Sequence, residues 1–136
     1  MPKEAKTIKV DKTAAIKYSA IGKSFYDAAI SERELRCWNA AGLLIVHSAI
    51  AYADALTIKY GGVKSKSENH QDVVKLLEIV VKESESKNIA LNQLERLIAH
   101  KSTVAYSGEL YDEQDIDKLF KHLERFKTWV EKQLND

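Results

Sequence analysis

His47-Ser48-Ala49-Ile50-Ala51-Tyr52-Ala53-Asp54-Ala55-Leu56 is the stretch on which the fold turns. It lies inside the most apolar run of the chain, Ala40–Ile58, a run long enough to raise the question of a membrane. An Asp near the centre of a span costs about 3 kcal/mol on insertion scales. With His47 and Asp54 embedded, the run reads as a buried helix of a bundle. Downstream, Gly61-Gly62 offers a left-handed stop. Upstream, Ser31-Glu32-Arg33-Glu34 has the form of a capping box, with Ser31 taking free N–H groups and Glu34 reaching back. A helix between these marks spans about 43 Å and is expected to be the central element.

Working outward, Asp11 is a plausible cap for a first helix running to about Ala29. Ala14, Tyr18, Ile21, Phe25 and Ala28 form its expected inner face. Val63–Asn69 is polar and reads as a loop. A third helix follows a Ser65–Glu68 box or a Ser67 cap, with Val73, Val74, Leu76, Leu77, Val80 and Val81 inward. Ser84–Lys87 reads as a break, and Asn88 as the cap of a fourth helix that buries Leu91, Leu94, Leu97 and Ile98. After the Tyr106–Tyr111 loop, Asp112 caps a last helix striped with Ile116, Leu119, Leu123, Phe126, Val130 and Leu134. With one proline and five glycines the chain has few places to break. The expectation is an all-α, up-down bundle of four to five helices.

The 136 residues fit one domain over 1–136, with 1–10 polar, Lys-rich and loosely held. Lys plus Arg number 21 against 20 Asp plus Glu, so any basic surface must be local. Cys37 is the only cysteine. It excludes an intrachain disulfide and a Cys-based zinc site, and it suits the cytoplasm. The histidines show neither His-x3-His nor His-Glu-x-x-His spacing, so no metal site and no cofactor are expected.

Two stretches carry a likeness to a known family. One is His47–Leu56 with Gly61-Gly62, His70 and Leu76-Leu77 after it. The other is Leu94–Leu134, including Lys101-Ser102-Thr103-Val104-Ala105-Tyr106-Ser107-Gly108. Together they resemble the HEPN-like helical domains. The resemblance implies a long second helix with an embedded acid, then a glycine turn and a third helix. It also implies a motif segment where ribonuclease members carry Arg, four to six residues, then His. Here Lys101 stands in the place of that arginine and Tyr106 in the place of that histidine. Histidine titrates near neutral pH, whereas tyrosine does not. Lysine lacks the planar fork that grips phosphate at two points.

The resemblance therefore implies a module that binds a nucleotide, a small polar ligand or a partner protein without cleaving RNA. Such modules often form homodimers and pair with a nucleotidyltransferase in toxin–antitoxin systems. On this reading Asp54, Lys101, Tyr106 and His47 share a ligand cleft. The alternative is a metal-independent ribonuclease with displaced groups, Arg96, His100 and Tyr106, of which Arg96 and His100 are four apart on one helical face. A third reading is a purely structural helical protein in which Asp54 and Lys101 only fix helix register. The last helix also carries Lys118, Lys121, His122, Arg125, Lys127, Trp129 and Lys132. That strip could contact RNA by charge and stacking, although the plainer reading is a solvated face.

Overall fold

The computed structural model describes residues 6–66 and 71–136. Among them a short strand β1 (Thr7–Lys9) and a 3-10 turn (Lys12–Ala14) precede α1 (Ala15–Glu34) and α2 (Trp38–Gly61). Strand β2 (Val63–Ser65) leads to α3 (Gln71–Val80), α4 (Glu85–Ala99), α5 (Lys101–Tyr106) and α6 (Glu113–Leu134). Helices α4 and α5 follow each other across the single residue His100, so the bundle has five rods.

Helix α2 is the axis, as its composition predicts. Every residue from Ser48 to Ile58 is buried, because α1, α3, α4 and α6 all pack on it. It is the one helix among the described residues long and apolar enough to cross a membrane, and 83% of that span is buried inside the fold. Gly62 closes it at φ 63°, donating to the Ile58 carbonyl at 2.9 Å.

The α1–α2 crossing is set by Gly22. A Cβ there would lie 2.9 Å from the Tyr52 ring, and Ser48 Oγ donates to the Gly22 carbonyl at 2.7 Å. Both contacts need the backbones close. Ala15, Gly22 and Ala29 are the buried positions of α1. The expected inner face is therefore displaced, and Ile21 is exposed. Small residues let α1 approach more closely than Ile21 and Phe25 would.

Three other expectations are corrected. The break between the first two helices lies at Leu35–Cys37, and Ser31 sits within α1, bonding back to the Asp27 carbonyl. The stop is a Schellman closure. Cys37 N–H donates to the Glu32 carbonyl and Arg36 N–H to the Arg33 carbonyl, both at 2.9 Å. Arg36 takes φ 62°, the left-handed position usually held by glycine, and so hid the stop from a reading keyed to glycine. Its guanidinium lies 5.5 Å over the Trp38 ring. Helix α2 is consequently shorter than expected, about 36 Å.

The second correction is at the N-terminus. From Lys6 the chain is pinned, not loose: β1 pairs antiparallel with β2, with Ile8 opposite Lys64. Val10 N–H then donates to the Gly62 carbonyl at 2.8 Å. The Val63–Asn69 loop is thus part strand, and the proposed Ser67 cap and the Glu68 half of the Ser65 box lie outside the described residues.

Third, Ser84 caps α4, accepting the Lys87 N–H at 3.1 Å, and Asn88 lies inside the helix. Lys87 is 1% exposed. Its ammonium donates to the Glu78 carbonyl at 3.1 Å and the Val81 carbonyl at 3.3 Å, and it pairs with Glu83. A lysine of α4 therefore satisfies the last carbonyls of α3. Helix α6 opens as expected on Asp112, in a reciprocal box with Asp115. Its stripe Ile116, Leu119, Leu123, Phe126 and Val130 is buried.

Candidate functional site

The residues expected to share a cleft are divided along α2. Asp54 is 7% exposed and its charge interacts with Lys64 of β2. Burial pushes its carboxyl up to about 7, opposed in part by Lys64. Helix α5, which carries Lys101 and Tyr106, packs instead on the start of α2. Val104 Cγ1 stands 3.0 Å from where a Cβ of Gly42 would be, and Asn39 Nδ2 donates to the Val104 carbonyl at 2.9 Å. Gly42 and Asp54 are twelve residues apart on one helix, about 18 Å. Tyr106 is 86% exposed. Lys101 lies close enough to His47 to help burial hold that imidazole below its ordinary pKa. His47 also meets the Phe25 ring at 6.0 Å. Lys101 and His47 are thus neighbours, while Asp54 and Tyr106 stand apart from them.

A different cluster forms where α4, α5 and α6 meet. His100 occupies the break between α4 and α5, and its Nδ1 lies 2.7 Å from the Tyr111 hydroxyl. Tyr111 is held from two sides. Asn39 Oδ1 accepts its backbone N–H at 2.9 Å while Asn39 Nδ2 donates to the Glu109 carbonyl at 2.9 Å. One asparagine at the start of α2 thereby fixes the whole loop before α6. The Tyr111 phenol is raised by burial, which keeps its proton on, and the Thr103 hydroxyl acts on it in the opposite direction.

Across the seam, His122 Nδ1 is hydrogen-bonded to Gln93 Oε1. Burial lowers the His122 pKa, and Arg96, Arg125 and His100 lower it further. No acid acts on it. Three acids of α6 are engaged elsewhere: Asp117 with Arg33, Glu124 with Tyr26 and Glu131 with Lys127. The α4-facing flank is therefore left basic. Trp129, placed by sequence on a strip that could stack on RNA or simply be solvated, is 7% exposed, and its indole N–H is buried with no acceptor among the described residues. An unpaired buried donor costs about 1–3 kcal/mol.

Of the three displaced groups read from sequence, Arg96 and His100 do belong to this cluster, whereas Tyr106 does not. Tyr111, His122, Gln93 and Arg125 complete it. His122 and Arg125 were visible as part of a basic strip, without a sign of what faced them. Tyr111 could have been found from its place just before the Asp112 box, where a large apolar side chain commonly packs inward. Gln93 and Asn39 carry no such signal. Among the described residues no group of three or more His, Cys, Asp or Glu side chains could hold a metal. What the cluster offers is two guanidinium groups, which match phosphate oxygens, beside two imidazoles.

No curated protein and no solved structure matches the chain significantly. The family model for the HEPN domain matches residues 17–133, from the first turn of α1 to the last of α6. This coverage takes in the long central helix, the glycine turn and the segment around His100, and the chain belongs to the HEPN domain family.

Proposed function

We propose that this HEPN domain binds the phosphate groups of a nucleotide or of RNA on the face between α4 and α6. The observation that carries the reading is His122. Arg96, Arg125 and His100 act on it, and no carboxylate among the described residues does. Such a surface attracts an anion, and guanidinium forks match phosphate oxygens. The domain would work as a cytoplasmic homodimer, with a nucleotidyltransferase of a toxin–antitoxin pair as its candidate partner; family membership motivates that part of the proposal.

The test is binding of a fluorescent oligouridylate at several salt concentrations. Arg96→Ala and Arg125→Ala should each weaken binding about tenfold, and each should flatten the salt slope by close to one ion. Affinity and slope unchanged in both variants would remove the reading.

Cleavage of RNA is the second reading, and the pairing of His100 with Tyr111 at 2.7 Å favours it, because a positioned imidazole can pass a proton. It predicts products from RNA incubated with the protein, absent with His100→Ala and with His122→Ala. Intact RNA after prolonged incubation leaves binding alone.

A further inference from the structure

The two-stranded sheet has an open side. Lys66 N–H donates to the Lys6 carbonyl at 2.9 Å, and Val10 N–H donates to the Gly62 carbonyl at 2.8 Å. Ile8 lies opposite Lys64, midway between those two pairs. Bonded and non-bonded positions alternate along an antiparallel ladder. Lys6, Ile8 and Val10 therefore turn their main-chain groups toward β2, whereas Thr7 and Lys9 turn theirs away from it. Among the described residues β2 is the only strand beside β1, and Lys6, Thr7, Ile8 and Lys9 are all exposed. We propose that β1 is a docking edge, on which an extended acidic segment of a partner protein adds as a third strand.

Charge around this edge is one-sided. Residues 6–12 and 62–66 hold Lys6, Lys9, Lys12, Lys64 and Lys66, and their one acid is Asp11. Asp11 is spent locally, accepting from the Thr13 N–H at 2.8 Å and from the Thr13 hydroxyl at 2.7 Å. Lys64 lies 5.8 Å over the Tyr18 ring, and its charge acts on the buried Asp54. Lys6, Lys9, Lys12 and Lys66 form no ion pair among the described residues. A chain with a net charge of only +1 thus gathers four such ammonium groups around one short strand. A local field of this kind draws carboxylates.

Three occupants compete for such an edge. A second copy of β1 would set Lys6 and Lys9 against the same lysines, the arrangement by which edge lysines block self-pairing. RNA has no peptide groups to match those of Thr7 and Lys9. Residues 6–12 also contain no aromatic ring on which a base could stack. An acidic peptide meets both demands, its main chain pairing with Thr7 and Lys9 while its carboxylates reach the lysines. The edge shares no residue with the α4–α6 face.

The experiment titrates the full chain with a short, end-blocked peptide of alternating Glu and Thr, followed by calorimetry and by amide hydrogen exchange. The same peptide with Lys in place of Glu, and a uridine octamer, are the comparisons. The acidic peptide should bind, and exchange at the Thr7 and Lys9 amides should slow about tenfold. Thr7→Pro removes an outward N–H and leaves the bonds to β2 in place. Lys6→Gln combined with Lys9→Gln removes charge and keeps the strand. Each variant should weaken binding about fivefold or more. Binding without slower exchange at Thr7 and Lys9, or equal affinity in both variants, overturns strand addition. So does equal binding of the Lys peptide, or no saturation by about 1 mM acidic peptide. Octamer binding that the double substitution abolishes, with no binding of the acidic peptide, assigns the edge to nucleic acid and overturns it as well.

Discussion

The Tyr111 hydroxyl stands 2.7 Å from His100 Nδ1, so the loop before α6 holds an imidazole at the break between α4 and α5. Removing the hydroxyl with Tyr111→Phe keeps the buried ring and frees the imidazole. The expected cost is about 1 kcal/mol in urea unfolding. The His100 ring resonances should broaden in NMR spectra. If unfolding and ring signals are both unchanged, the bond does not hold the imidazole in solution.

His122 predicts a pH dependence of anion binding. In the free protein its pKa lies below the ordinary value of 6.5, because burial and then Arg96, Arg125 and His100 disfavour the imidazolium. Bound phosphate favours the imidazolium, so binding takes up a proton. Affinity for the oligouridylate should therefore rise as pH falls from 7 through the His122 range. His122→Gln should flatten that rise. An equally steep profile in the variant would assign the proton elsewhere.

Asp54 gives the opposite sign for stability. Burial raises its folded-state pKa to about 7, from an ordinary value of 3.8. A raised pKa contributes stability that is present below the unfolded value and is lost as pH rises through about 7. Asp54→Asn removes the titration. The variant should be roughly 1–3 kcal/mol more stable than wild type at pH 8, with little difference near pH 4. Chemical denaturation at the two pH values measures this. A variant weaker at pH 8 would mean that the carboxylate is a structural partner.

At Gly22 the issue is steric. A methyl group would meet the Tyr52 ring at 2.9 Å, and the Ser48 bond to the Gly22 carbonyl keeps α1 from sliding away. Gly22→Ala should lower stability by about 1–3 kcal/mol, as overpacking does, despite the better helix propensity of alanine. Thermal unfolding checks the sign. A stabilised variant would show that the helices part freely at this crossing.

The rods of the fold were legible because their signals are local. The apolar run around Ala49 and the α6 stripe from Ile116 to Val130 each bury what periodicity says they should. Local signals fail where another part of the chain decides. The end of α1 depends on Arg36 accepting a glycine's conformation. The strand at Thr7–Lys9 exists only because Val63–Ser65 is there to pair with it. The site shows the same division. Arg96 and His100 could be picked out because they stand four residues apart in the sequence. Their partners on α6 and in the loop could not be matched to them, since nothing local says that Gln93 meets His122. The expected union of Asp54 with Lys101 and Tyr106 failed along the axis of α2, because α5 packs near Gly42 and not beside Asp54.

Lys87 has a bearing on how the protein can be handled. With its ammonium spent on the end of α3 and almost none of its surface reachable, it is the amine that reagents and trypsin would find last. Reaction at that one site, followed by mass spectrometry, would therefore time the parting of α3 from α4, with no dye, tag or engineered probe.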